Sequence, residues 1–170
     1  MRRVGASGPP RINVMLKPVQ KRIFKGRGGA FIIVASQYNA RYVDAMVRAA
    51  KAELKSAGAE VCQVVRVPGA FEIPVAVARI ARHAQPRVDG IICLGVILRG
   101  ATTHAQHIGE VVSNALGSIA VETEIPIIHE VLLLENEQQA KERCLNREHN
   151  RGAEAAQTAL EMARVMRELD

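Results

Sequence analysis

Aromatic side chains are nearly missing from this sequence, which has three Phe, two Tyr and no Trp in 170 residues. A core without large rings must be filled by Val, Ile, Leu and Ala, the composition of strands covered by helices on both faces. That favours α/β over an all-β sandwich. Cysteine is scarce too. Cys62, Cys93 and Cys144 are odd in number and widely spaced, and two of them sit in apolar, strand-like runs. They read as buried reduced thiols, not as a disulfide framework. Nothing in the chain approaches the ~20 consecutive apolar residues of a membrane span, and the amino-terminal stretch lacks the apolar run of a secretory signal. A cytoplasmic protein with no membrane partner is expected.

Acidic residues are absent from the first 27 positions, which hold eight basic ones: Arg2, Arg3, Arg11, Lys17, Lys21, Arg22, Lys25 and Arg27. Taking those eight from 23 Lys and Arg leaves 15 against 17 acidic residues, so the formal charge of +6 belongs to the leader and the rest is about −2. That distribution argues against nucleic acid as a required partner of the folded part. With 48% apolar residues, the remainder is long enough to bury a sizeable core. The expected organisation is a basic, flexible leader over 1–27 and a single α/β domain over 28–170.

The apolar pattern then switches between two periods. Residues 30–36 (AFIIVAS) form a short continuous apolar run, the mark of a fully buried strand. Val43, Met46, Val47, Ala50 and Leu54 recur every three or four positions, as in an amphipathic helix, and Gly58 is placed to end it. A second strand is predicted over 61–67, closed by Pro68-Gly69, and a second helix from Pro74 to about residue 83. Asp89-Gly90 turns the chain into a third strand over 91–98, followed by a third helix over 104–123. A fourth strand is predicted over 125–133, with Pro126 allowed only near its start. Two helices close the chain, over 137–144 and 151–169, with Asn136 and Asn150 as N-caps. Four strand-to-helix alternations imply right-handed crossovers and a parallel sheet. The predicted fold is a flavodoxin-like, three-layer α/β/α sandwich around a four-stranded parallel sheet. Ligands in such folds bind beyond the carboxyl ends of the strands, so the loops 37–39, 68–73, 99–103 and 134–136 form the candidate site.

Two of these loops carry unusual residues. Arg99-Gly100-Ala101-Thr102-Thr103-His104 joins the third strand to the third helix. Thr103, with Gln106 three residues on, has the spacing of a capping box and sets the helix start at His104. Free N–H groups and the positive dipole end make such a start an anion site, and Gly100 lets the backbone approach closely. An ordinary capped helix has the same pattern, and no Gly-Lys-Ser/Thr follows, so the turn is not a P-loop. His104 beside it is a candidate proton shuttle near neutral pH, against a histidine merely satisfied by helix packing. The segment 67–74 places Phe71 and Glu72 at the same edge. Phe71 as a cover for the core and Glu72 as a first-turn acid are the plainer alternatives.

Taken together, VPGAFEIP (67–74), LGVILRGATTH (94–104), the QAKER run ending at Arg143 and NRGAEAA (150–156) make the chain resemble the 6,7-dimethyl-8-ribityllumazine synthase family over its whole length after the leader. Long motifs in the right order on the right loops are far more specific than any short pattern. The resemblance implies condensation of 5-amino-6-(D-ribitylamino)uracil with 3,4-dihydroxy-2-butanone 4-phosphate, releasing phosphate and water, with no metal and no organic cofactor. It implies that Tyr38 stacks on the pyrimidine, that Ala70, Phe71 and Glu72 meet the ribityl chain and ring, and that Val96, Ile97 and Leu98 contact the pyrimidine. Ala101 and Thr102 match the family's phosphate-binding turn. His104 matches its proton donor or acceptor, and Arg143 the arginine that holds the substrate phosphate. In the family that arginine comes from a neighbouring subunit. The implied partner is therefore the chain itself, in a homopentamer, with assembly into a 60-subunit shell left open.

This sequence also departs from the family. His129 stands where the second pyrimidine-packing aromatic, usually Phe, is expected, and Glu130 where a Gly follows it. A His can stack, but it also brings a proton and a polar edge. Leu133-Leu134 replaces a Thr-rich turn, and Arg151 replaces the Lys of an Asn-Lys-Gly motif, with Glu154 three residues on for the ion pair made there. These changes bear on substrate affinity and ring selectivity more than on fold. They motivate a rival reading, a non-catalytic flavin- or lumazine-binding relative, against which His104, Arg143 and the RGATTH turn count together. Archaeal-type riboflavin synthase shares the fold, but the same turn and Arg143 favour a phosphate-bearing substrate. Because the leader's charges lie outside every matched motif, deleting residues 1–20 is expected to leave turnover within a few-fold of wild type. A steady-state assay checks this, and a folded, correctly assembled but inactive truncation refutes it.

Overall fold

The computed structural model describes residues 28–169, and the predicted leader lies outside them. Strands β1 (Ala30–Ser36), β2 (Glu60–Val67), β3 (Gly90–Leu98) and β4 (Ile127–Leu134) form one sheet in the order β2-β1-β3-β4, with every pair parallel. Helices α1 (Ala40–Ser56) and α5 (Arg151–Leu169) cover one face, and α2 (Ile73–His83) and α3 (His104–Thr123) the other. This is the three-layer, flavodoxin-like sandwich that the alternating apolar periods predict. Covering both faces explains why β1 and β3 are continuous apolar runs. Phe31, Ile33 and Ala35 enter the core beneath α1 and α5, whereas Ile32 and Val34 enter the one beneath α2 and α3. The pleat sends successive side chains to opposite cores, so such a strand is apolar along nearly its whole length, with Ser36 at the end of β1 the buried exception.

Two boundaries depart from the sequence expectation by more than one residue and one expected cap does not form, each for a local reason. β4 starts at Ile127, not at 125, because Pro126 has no N–H to give to a ladder. It contributes only its carbonyl, which accepts the Ile91 N–H at 2.9 Å. The helix expected over 137–144 is a short α4 (Glu137–Ala140), capped by the Asn136 side chain accepting the Gln139 N–H at 3.0 Å, and it widens into a π-helical turn over Lys141–Leu145. Thr103 does not cap α3. Its backbone is already helical (φ −73°, ψ −1°) and its side chain makes no cap bond, while Gln106 bonds forward to Glu110 at 2.9 Å. The helix nonetheless starts at His104.

The beginning of α5 is fastened from three sides. Asn150 accepts the Gly152 N–H at 2.9 Å and donates its amide to the Cys144 carbonyl, joining the π-helical turn to α5. A Cβ on Gly152 would lie 2.1 Å from the Met46 carbonyl oxygen, so only glycine lets α5 rest on the backbone of α1. Beside it, Arg151 donates Nε and Nη2 to the two carboxylate oxygens of Glu130 at 3.0 and 2.8 Å, and Nη1 to Glu154 at 2.5 Å. The Glu154 pair follows from the spacing in sequence. The fork on Glu130, across the gap between β4 and α5, does not.

Gly152→Ala is expected to destabilise the protein by about 3 kcal/mol, the range of a steric insertion into packed backbone. Thermal unfolding reads this directly, and an unchanged Tm would mean that α5 is not pressed on α1. Glu130 and Arg151 side chains are only 11% and 24% exposed, so Glu130→Ala and Arg151→Ala should each cost about 1–3 kcal/mol. Their double variant should cost clearly less than the sum. Denaturant titrations at fixed protein concentration test this, and additive losses would exclude coupling.

Candidate active site

Because the winding reverses between β1 and β3, the loops leaving their carboxyl ends diverge and a crevice opens between them. It forms a cavity of about 610 Å³, the size of a metabolite site. The loop after β1 brings Tyr38 and Asn39 to it, and the loop after β2 brings Gly69, Ala70, Phe71 and Glu72. Val96, Ile97 and Leu98 at the end of β3 complete the strand side, and His104, His107, Ile108 and Val111 line the wall of α3.

Local chemistry shapes these loops. Asn39 is left-handed (φ 57°), a conformation Asn tolerates better than most residues, and its Nδ2 donates to the Val96 carbonyl at 2.8 Å. That bond ties the first loop to β3. The Glu72 carboxylate folds back to accept the Gly69 N–H at 2.8 Å. A Cβ on Gly69 would meet that carboxylate at 2.8 Å and the Tyr38 ring at 3.1 Å, so glycine makes room for both. Tyr38 and Phe71 are 71% and 55% exposed, leaving two large rings at the mouth. His104 is exposed at the head of α3, and no side chain caps that helix start.

The remaining candidate residues lie elsewhere in the chain. Ala101 and Thr102 are exposed in the turn ahead of α3 and do not line the cavity. His129, on the edge strand β4, faces a second apolar depression of about 510 Å³ with Val121, Ile127 and Met162. Arg143 is exposed on the π-helical turn, which packs on α1. Arg151 and Glu154 stand with Glu130 behind β4. The cavity group is therefore Tyr38, Ala70, Phe71, Glu72, Val96, Ile97, Leu98 and His104, and a single chain does not bring His129, Arg143 or Arg151 to it.

Burial acts on two neighbouring residues of β4. Burial pushes the Glu130 carboxyl up, to about 7, against the opposing pull of Arg151 and Arg143. Burial lowers His129, whose Nδ1 accepts the Val131 N–H at 3.1 Å and whose Nε2 lies 2.8 Å from Ser113 Oγ. Arg99, at the cavity end of β3, pairs with Glu135 at 3.1 Å. Cys93 and Cys144 are buried free thiols, both raised by burial. Among the described residues no three His, Cys, Asp or Glu could hold a metal ion, and no helix is long and apolar enough to cross a membrane.

Asn39, Gly69, His107, Ile108 and Val111 were not singled out from sequence. For the α3 residues a signal was present: positions 104, 107, 108 and 111 follow the i, i+3, i+4, i+7 spacing of one helix face. For Asn39 there was none, because its role depends on a backbone angle.

The family described as 6,7-dimethyl-8-ribityllumazine synthase matches residues 28–167. A protein of that name from Xanthomonas campestris pv. campestris (strain B100) is 38% identical over 138 residues, 80% of this chain and 88% of the relative. Others so named, from Xanthomonas oryzae pv. oryzae (strain PXO99A) and Xanthomonas euvesicatoria pv. vesicatoria (strain 85-10), are 38% and 37% identical over the same shares. The match runs across nearly the whole described fold, with both rim motifs and the α5 start inside it. The chain belongs to the 6,7-dimethyl-8-ribityllumazine synthase family.

Proposed function

We infer that the cavity and the residues on and after β4 are two halves of one catalytic site, completed when subunits associate. The chain is a transferase of riboflavin synthesis that condenses 5-amino-6-(D-ribitylamino)uracil with 3,4-dihydroxy-2-butanone 4-phosphate to 6,7-dimethyl-8-ribityllumazine, releasing phosphate and water. The observation that carries the shared site is the separation just described. The cavity holds the rings of Tyr38 and Phe71 and the imidazole of His104, whereas the exposed Arg143 lies outside it.

In this reading Tyr38 stacks on the pyrimidine, and Val96, Ile97 and Leu98 meet its edge at the end of β3. Ala70, Phe71 and Glu72 receive the ribityl chain and ring. His104 moves the protons that imine formation and phosphate loss require, since an imidazole near neutral pH can both accept and return one. Ala101 and Thr102, ahead of the uncapped α3, offer N–H groups to the phosphate, and a neighbour's Arg143 closes on it with a planar fork of donors. His129 of the neighbour supplies the opposing ring, with Arg151 and Glu154 supporting that half. Self-association has a physical motive in β4, an edge strand of sequence IIHEVLLL with Val121 81% exposed beside it. A homopentamer is the proposed active unit. The free thiols of Cys93 and Cys144 support a reducing compartment, and the cytoplasm is the proposed location.

Arg143→Ala is expected to raise the KM for the sugar phosphate and to lower kcat, because a dianion loses a charge-assisted contact. His104→Ala should mainly lower kcat, by on the order of 10²–10⁴-fold at most, and change its pH dependence. Saturation curves for each substrate across about pH 6–9, bracketing the ordinary histidine range, separate the two. Wild-type constants for Arg143→Ala would refute the phosphate assignment. Co-assembling the two variants should restore part of the activity, since some sites then combine an intact cavity with an intact arginine. Failure of mixed assemblies to regain activity would refute the shared site.

A further inference from the structure

The imidazole of His129 is bonded at both nitrogens, and the partners fix its chemistry. The Val131 N–H points at Nδ1 from 3.1 Å, so Nδ1 holds a lone pair and no proton. In a neutral ring the proton is then on Nε2, which lies 2.8 Å from Ser113 Oγ. Ser113 can accept it, because its own hydroxyl hydrogen goes to the Gly109 carbonyl, 2.7 Å away one turn back along α3. The series Val131 N–H to Nδ1, Nε2–H to Ser113 Oγ and Ser113 O–H to the Gly109 carbonyl satisfies every donor once. A ring flipped about its axis would present carbons to both partners. A protonated ring would set an N–H against the Val131 N–H.

We propose that Ser113 is a positioning residue for the condensation: its hydroxyl holds His129 as a single neutral tautomer with both nitrogens occupied, so that the imidazole offers only its flat faces to the pyrimidine. The polar edge that makes histidine a poor substitute for a benzene ring is thereby turned inward, onto β4 and α3. Ser113 touches neither substrate and acts through His129 alone. The inference rests on the reading that His129 packs against the pyrimidine in the assembled site.

The test compares wild type with Ser113→Ala, His129→Phe, the double variant and His129→Ala, measuring KM for each substrate and kcat. Ser113→Ala should raise the KM for the ribitylaminouracil roughly three- to tenfold, the effect of one neutral hydrogen bond, and leave the sugar-phosphate KM and kcat unchanged. In the His129→Phe background, where the ring has no polar edge to hold, Ser113→Ala should change nothing. Ser113→Thr, which keeps the hydroxyl, should behave as wild type, and Ser113→Val, of the same shape without it, should reproduce the loss. The Thr and Val pair decides the matter even if the alanine variant assembles poorly. An unchanged KM on removing the hydroxyl, or an equal rise in both backgrounds, overturns the proposal. If His129→Ala leaves the ribitylaminouracil KM at the wild-type value, the packing role of His129 fails and the proposal with it. If His129→Ala raises that KM while Ser113→Ala does not, the packing role stands and only the role of Ser113 fails.

Discussion

The chain winds to one side of β1 and then, from β3 onward, to the other, and a parallel sheet built in this way leaves a gap at the carboxyl ends of its two central strands. Most of what surrounds the cavity answers to that gap. The loop after β1 must bend sharply without leaving β3, which Asn39 achieves with a left-handed backbone and a bond to the Val96 carbonyl. The loop after β2 passes close to Tyr38, and the glycine at position 69 leaves room for that ring and for the Glu72 carboxylate. The third wall is a helix start without a side-chain cap, so its N–H groups remain available to an anion. Three unrelated local solutions converge on one opening because the topology creates the opening first.

The residues on and after β4 obey a different constraint, that of holding charge at an edge strand. Burying Glu130 is costly in itself, as its raised carboxyl shows, and Arg151 offsets that cost only because Glu154 and Asn150 hold the start of α5 in place. Glu130 and Arg151 thus act as one unit rather than two. Arginine supplies the fork that a carboxylate with two free oxygens requires, which a lysine ammonium cannot match. Arg99 is engaged by Glu135 and Arg151 by two carboxylates, whereas Arg143 is exposed on the π-helical turn.

Strands and helices were readable because each covers or is covered on a fixed period, and the apolar pattern records that period. Position 125 failed as a strand start for lack of one hydrogen atom, on Pro126, whose effect depends on its neighbour across the sheet. The π-helical turn at Lys141–Leu145 and the idle Thr103 were likewise invisible, since capping is settled by backbone angles that composition does not encode. The loops of the cavity are legible in the sequence, but the separate roles of Asn39 and Gly69 within them are not, because their contribution is geometric. The bond between Glu130 and Arg151 spans two elements and 21 positions, a distance at which spacing carries no information. Whether His129 behaves as an acid or as a plate could not be read from its identity, because Val131 and Ser113 decide it.

Positions 129 and 130 are adjacent on β4, and the pleat assigns them to different neighbourhoods, the first to α3 and the second to α5. One strand thereby separates two properties, the setting of the His129 imidazole and the anchoring of the Arg151 ion-pair cluster. A lineage can exchange the ring at 129 without disturbing the charges behind it, or rebuild the charges without altering the ring. An inserted or deleted residue between Ile127 and His129 would transpose the two roles at once. Point substitution is therefore the tolerated route of divergence at this edge, and a change in strand length is not.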